Sequence, residues 1–383
     1  MEQFFPLVVI PTLEQTYALR SRMPCSGIPA AQEALWYACR YQQDGRDDLG
    51  VEENRTMAGN GTDRITLGEG GYSYTVSGDN WGNLPEGWFY KEATCVDVDS
   101  QDNVYVFNRG NHPMIVFDSV GNVLRTWGEG LFTNPHGVTI APDDTVFCVD
   151  NADHSIRQFT PEGSLLMTLI PPHGASSAMS GNAVNGPTRV AVDPRNGEIL
   201  VADGYGNARV HRFSPDGKHL LASWGESGTQ LGQFNIVHDI DIDLDGFIYI
   251  ADRENRRVQV FDATGRFETR WGDFSRAAAV SLGHGRSQLV FVGEYFAGGN
   301  EAYAVGTGLG PRVSVLDRQG TVLARLGREP YGEAPGHFWA PHAIAVDSRG
   351  DLYVAEVSYA EFGINMDLDH ELRSLQKLGR LVS

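Results

Sequence analysis

The chain has 383 residues, a hydrophobic fraction of 41% and 45 glycines, enough for one large core threaded by many tight turns. Its formal net charge of −19 at pH 7 gives it no electrostatic reason to bind nucleic acid, and the apolar run over 4–10, interrupted by Pro6 and followed by Pro11, is too short for a membrane span and lacks the basic start of a secretion signal. The four cysteines, Cys25, Cys39, Cys95 and Cys148, have neither CxxC spacing nor the density of a disulfide framework, so they read as free thiols and the expected location is cytoplasmic.

Residues 1–65 read as an N-terminal extension with no functional motif. Within it, 30–41 has the pattern of an amphipathic helix and 44–63 that of a polar loop. Contact between copies of the chain, giving an oligomer, or cover for one end of the following domain is its expected use.

From residue 66 to 383 the chain is built on a repeat of roughly 40 residues. Each copy opens with an alternating strand, as in Cys95-Val96-Asp97-Val98, Val138-Thr139-Ile140, Val190-Ala191-Val192 and Ile344-Ala345-Val346. A turn of the Asp-Gly kind and a second strand follow, as in Asp245-Gly246 before Ile248-Tyr249-Ile250. A polar turn leads to a third strand, such as Val258-Gln259-Val260-Phe261, and a Gly turn to a fourth. Several copies end in Trp-Gly, at Trp127, Trp224 and Trp271. Four short strands per unit is the signature of a propeller blade. Good copies begin near 93, 134, 186, 235 and 340, and a degenerate one lies between 276 and 330, so the expected fold is an all-β, six-bladed β-propeller. The segment 72–76 is placed to complete the last blade and remove its free edge.

Three copies carry histidine at one register: Asn134-Pro135-His136, Ile236-Val237-His238 and Ala340-Pro341-His342, separated by 102 and 104 residues. Intervening copies have Thr94 and Thr188 there. In a ring of six, alternate blades stand about 120° apart, and the start of each first strand faces the axis. His136, His238 and His342 are therefore expected to converge on one metal ion with an open fourth position, the catalytic arrangement of zinc, although imidazole also suits other divalent metals. The turns between second and third strands form another matched set. Their Asp and Asn side chains are expected to bond local backbone, while the apex residues Arg109, Tyr205 and Arg253 should face the histidines. Two guanidiniums there would hold a carboxylate and favour the phenolate of a nearby phenol. The remaining histidines share no register. His112, beside Arg109, reads as a loop residue.

The stretches Phe107-Asn108-Arg109-Gly110-Asn111-His112, Pro135-His136-Gly137, Ala202-Asp203-Gly204-Tyr205-Gly206-Asn207, Ala251-Asp252-Arg253-Glu254-Asn255 and Pro341-His342 resemble the peptidyl-α-hydroxyglycine α-amidating lyases, with NHL-type repeats, over about 80–358. The resemblance implies a six-bladed propeller with zinc on His136, His238 and His342, a catalytic Tyr205, and active-site arginines Arg109 and Arg253. Two positions depart from it. Gly206 stands where the family has a disulfide cysteine. Ala343 stands where the family has an acidic residue at a structural calcium, which argues against calcium here. The copper-dependent hydroxylase domain that makes the lyase substrate has no counterpart in these residues.

The expected activity is a zinc-dependent carbon–nitrogen lyase, with Tyr205 as base and Arg109 and Arg253 orienting a carboxylate. It would cleave a carbinolamide, an N-acyl-α-hydroxyglycine-like small molecule or peptide, to an amide and an aldehyde such as glyoxylate. A metal-dependent hydrolase of a lactone, ester or amide uses the same ligands, and a non-catalytic NHL scaffold that binds a protein uses the same fold. No nucleic-acid or membrane partner is expected.

Overall fold

In the computed structural model the described residues are 64–77, 81–283, 289–296 and 309–381. The expected helix over 30–41 and loop over 44–63, with Cys25 and Cys39, lie outside them. Six antiparallel sheets follow one another along the chain. Blades one to five run Ala93–Trp127, Pro135–Ile170, Arg189–Trp224, Val237–Trp271 and Arg276–Leu326 in four strands each. The sixth combines Pro341–Val346, Leu352–Glu356 and Leu375–Arg380 with two strands from earlier in the chain, Tyr74–Val76 and Thr66–Leu67. Tyr74–Val76 pairs antiparallel with Leu375–Arg380, so the segment expected to close the ring does so. The all-β six-bladed propeller is therefore present. The strand Thr66–Leu67 adds a further edge to the closing sheet.

Burial follows strand position. The second strand Val146–Asp150 is wholly buried, whereas the outer strand Leu165–Ile170 exposes half of its residues and buries only one. Each blade is thus buried in its inner strands and wet at its outer edge strand. The recurring tryptophans lock successive blades. A Cβ on Gly163 would lie 2.6 Å from Trp127 Cγ, and one on Gly320 would lie 2.3 Å from Trp271 Cδ1. The indole of one blade therefore lies flat on the turn glycine of the next, whose positive φ also suits glycine.

One irregularity positions the site. The first and second strands of blades one, two, four, five and six slip register between Ala93 and Cys95, Pro135 and Gly137, Val237 and Asp239, Ala277 and Ala279, and Pro341 and Ala343. The unpaired residue is Thr94, His136, His238, Ala278 or His342. A bulge re-aims the residue it leaves unpaired. Each histidine is thus turned out of its ladder at the place where the strand reaches the axis. Among the described residues no helix is long and apolar enough to cross a membrane.

Candidate metal centre and active site

His136, His238 and His342 meet at the axis, with ring centroids 4.6–5.2 Å apart. One ligand atom from each falls within 4.8 Å of the others. All three are buried. Their Nδ1 atoms donate to backbone carbonyls: His136 to Thr188 at 2.8 Å, His238 to Ala278 at 2.6 Å and His342 to Thr94 at 2.5 Å. Each acceptor sits at the histidine register of the next odd-numbered blade. A carbonyl accepts only from N–H, so these bonds fix the proton on Nδ1 and leave the Nε2 lone pair free. His136 reaches its partner because Gly137 has no side chain. A Cβ there would lie 2.4 Å from the Thr188 oxygen.

Burial, first, and the Arg109 guanidinium, second, push the His136 imidazole down to about 3. Burial and then Arg253 push His238 well down, and burial, then His136 and Arg109, do the same for His342. Three neutral imidazoles with lone pairs toward one point are a donor set for a cation, and the set fits a zinc ion.

Tyr205 stands over the edge between blades two and four. Its hydroxyl is 3.1 Å from His136 Nε2 and 3.3 Å from His238 Nε2, one proton for two lone pairs. Arg253 Nη1 donates to the same oxygen at 3.4 Å. Arg253 is held by Glu254 at 2.8 Å, which also holds Arg276 at 2.6 Å. Arg109 lies on the same side but bonds none of these groups. Its Nη1 pairs with buried Glu92 at 2.5 Å, and its Nε donates to the Pro135 carbonyl at 3.2 Å. Glu92 also accepts the Ala360 amide at 2.8 Å. The structure thus brings His136, His238, His342, Tyr205 and Arg253 together, while Arg109 is anchored to one side by Glu92 and the Pro135 carbonyl.

Asn108 bonds backbone within its own turn, as expected, whereas Asp203 and Asp252 reach back to amides 18 and 17 residues earlier in the chain. Asp203 accepts the Asn185 amide at 2.9 Å, Asp252 the Asn235 amide at 2.7 Å, and Asn108 the Gly110 amide at 2.9 Å. His112 stacks on Trp88 at 3.9 Å and pairs with Glu129 at 2.9 Å, a structural role. Cys95 and Cys148 are buried and free, as expected.

Tyr295 was missed. Fully buried, its ring lies 6.1 Å from His238 and 5.9 Å from His342, with the Arg253 and Arg276 guanidiniums over it at 5.5 and 5.3 Å. It follows Glu294 as Arg253 follows Asp252, a signal hidden by the divergence of blade five.

Both departures from the family pattern have a structural counterpart. A Cβ on Gly206 would lie 2.3 Å from the Asn185 carbonyl oxygen, so this turn is packed for glycine. One residue beyond the histidine register, the blades carry Cys95, Gly137, Arg189, Asp239, Ala279 and Ala343. Asp239 is the one carboxylate of that set, and it accepts the Ile240 and Val280 amides and faces Arg189 at 3.5 Å.

The NHL repeat family matches residues 184–213 and 234–261, in blades three and four. The peptidylglycine alpha-amidating monooxygenase of Rattus norvegicus is 27% identical over 75% of this chain and 32% of its own length. The peptidyl-alpha-hydroxyglycine alpha-amidating lyase 1 of Drosophila melanogaster is 30% identical over 70% of this chain and 55% of its own. The probable lyase of that name from Caenorhabditis elegans is 28% identical over 70% and 75%. The chain therefore spans about a third of the length of the rat protein. Among solved structures, virginiamycin B lyase from Staphylococcus aureus aligns with a TM-score of 0.51 at 14% identity, covering 80% of this chain and all of that one, a likeness of fold. The chain is thus a homologue of the peptidyl-α-hydroxyglycine α-amidating lyases, on a propeller that contains NHL repeats.

Proposed function

We propose that the protein is a zinc-dependent lyase that cleaves the C–N bond of an N-acyl-α-hydroxyglycine-like carbinolamide, releasing an amide and glyoxylate or a related aldehyde. One observation carries the reading: a phenol oxygen stands 3.1 and 3.3 Å from the free nitrogens of two of three converging neutral imidazoles, with Arg253 on the same oxygen. His136, His238 and His342 would hold the ion, which when bound supplies a Lewis acid for a substrate oxygen. Tyr205 takes the proton of the substrate hydroxyl. Arg253, whose Nη1 donates to that phenol oxygen, would with Arg109 orient the substrate carboxylate. As the hydroxyl O–H electrons form the aldehyde carbonyl, the C–N pair leaves with the amide nitrogen, which takes up one proton. No water is consumed.

The test supplies metal-replete protein with an N-acyl-α-hydroxyglycine in ¹⁸O-water and measures both products. Aldehyde released with an equivalent of amide that carries no ¹⁸O is expected. An ¹⁸O-labelled carboxylic acid in place of the amide would instead make the protein a hydrolase. Protein that takes up no metal when metal is supplied in excess would instead be a scaffold.

A further inference from the structure

Four aromatic rings meet in segments that adjoin Tyr295 and His342 in the chain and belong to none of the hydrophobic core clusters. Phe296 packs on Tyr331 at 4.8 Å and on Phe362 at 5.5 Å, Tyr331 stacks on Phe362 at 5.3 Å, and Trp339 lies 4.8 Å from Phe362. They come from three segments: the end of the second strand of blade five, the connection from blade five to six, and the insertion 357–374 within blade six. Tyr331 is 41% exposed, and Phe296 and Phe362 are partly exposed. A cluster with one open side is a surface for an apolar partner.

The cluster is tied to the centre at two points. Phe296 follows Tyr295, whose ring faces His238 and His342. Trp339 precedes Ala340-Pro341-His342, and the amides of Trp339 and Ala340 are both fixed by the buried carboxylate of Glu356, at 2.6 and 3.2 Å. A carbinolamide has an anionic end and an acyl end. Its carboxylate belongs with Arg109 and Arg253, in blades one and four, and its acyl group needs uncharged surface within reach of the same centre. Resting on the lyase reading above, we infer that Phe296, Tyr331, Trp339 and Phe362 form the acyl subsite and select carbinolamides bearing a bulky aromatic or branched apolar N-acyl group.

The experiment compares N-benzoyl- with N-acetyl-α-hydroxyglycine as substrates, and the unreactive N-benzoylglycine with N-acetylglycine as ligands by calorimetry. Wild type should favour the benzoyl compound by about tenfold in kcat/KM and in affinity, the scale of one additional aromatic contact. In Tyr331→Ala and Phe362→Ala that preference should fall toward unity, with N-acetyl turnover and melting temperature within about twofold and a few degrees of wild type. Turnover of both substrates with no preference in wild type, or an equal loss for both in the variants, overturns the subsite. No turnover of either substrate, with the benzoyl preference kept in binding, overturns the lyase reading and leaves the subsite standing. Neither turnover nor preferential binding overturns both.

Discussion

The two ends of the axial channel are both buried and both crowded with ionisable groups, yet they are balanced in opposite ways. At one end three imidazoles are held neutral, and their Nδ1 protons are given to carbonyls of the odd blades. Among the described residues no carboxylate bonds them. At the other end Arg189 lies among Asp97 at 3.4 Å, Asp239 at 3.5 Å and the hydroxyl of Thr139 at 3.3 Å. Asp241 is close by, beside a cavity of about 360 Å³, its carboxylate taking the Ile242 and Leu282 amides. Burial pushes Asp239 and Asp241 up to about 6 and about 7. The lower end carries its own cation in a side chain. The upper end is arranged to receive one from outside. A buried charge persists only when matched: the lower end meets that condition by setting carboxylates around its guanidinium, and the upper end by keeping its three imidazoles neutral.

The comparison breaks most easily at the histidines. His238→Ala should lower bound metal from about one ion per chain to near zero, by elemental analysis, and abolish turnover. Next, Tyr205→Phe should cost on the order of 10²–10⁴ in kcat while metal content stays at wild-type level. Full activity in that variant would remove the phenol from the chemistry. Arg189→Leu probes the other end. It strands buried carboxylates and should cost about 3–5 kcal/mol in denaturant unfolding, yet leave the metal in place. Loss of metal there would mean that the two ends are coupled. Gly137→Ala pushes on the Thr188 carbonyl that orients His136 and should weaken metal affinity roughly 10- to 100-fold, by competition with a chelator.

The smallest effect is in pH. The folded pKa of each imidazole lies below its unfolded value near 6.5, so below that value the unfolded chain binds more protons. For metal-stripped protein the tripod is therefore neutral to stability above pH ~6.5 and costs stability as the pH falls, about 1.4 kcal/mol per unit per group, down to about 3 for His136. Asp239 and Asp241, raised to about 6 and about 7, titrate in the same range with the opposite sign, so the tripod's share is the difference between metal-stripped wild type and His238→Ala in melting temperature at pH 8 and pH 5. The same pH response in both would show that the His238 imidazole takes up its proton as readily in the fold as in the unfolded chain.

The tripod was legible because side-chain identity recurs at one spacing, and Arg109, Tyr205 and Arg253 because the turns around them also recur. What supports them was less so. Thr94 and Thr188 were visible as the residues at the histidine register in odd blades, but they act through backbone oxygens, which have no residue signature. The bulges that aim the histidines leave no trace in composition either. Glu92, the partner of Arg109, lies just before its blade, where no repeat points. Tyr295 lies in the blade whose repeat has decayed. The third strand of blade six, Leu375–Arg380, is displaced from the second by the insertion 357–374, so the local pattern does not reach it.

Blade six holds His342, and it is finished by Leu375–Arg380 pairing with Tyr74–Val76. A nascent chain on the ribosome can form blades one to five before residue 375 has been made, with two of the three ligands in place. The third ligand's sheet has to await that last strand and its pairing with a segment synthesised some 300 residues earlier. On the metal-binding reading proposed above, the ion would load onto a finished ring rather than seed it.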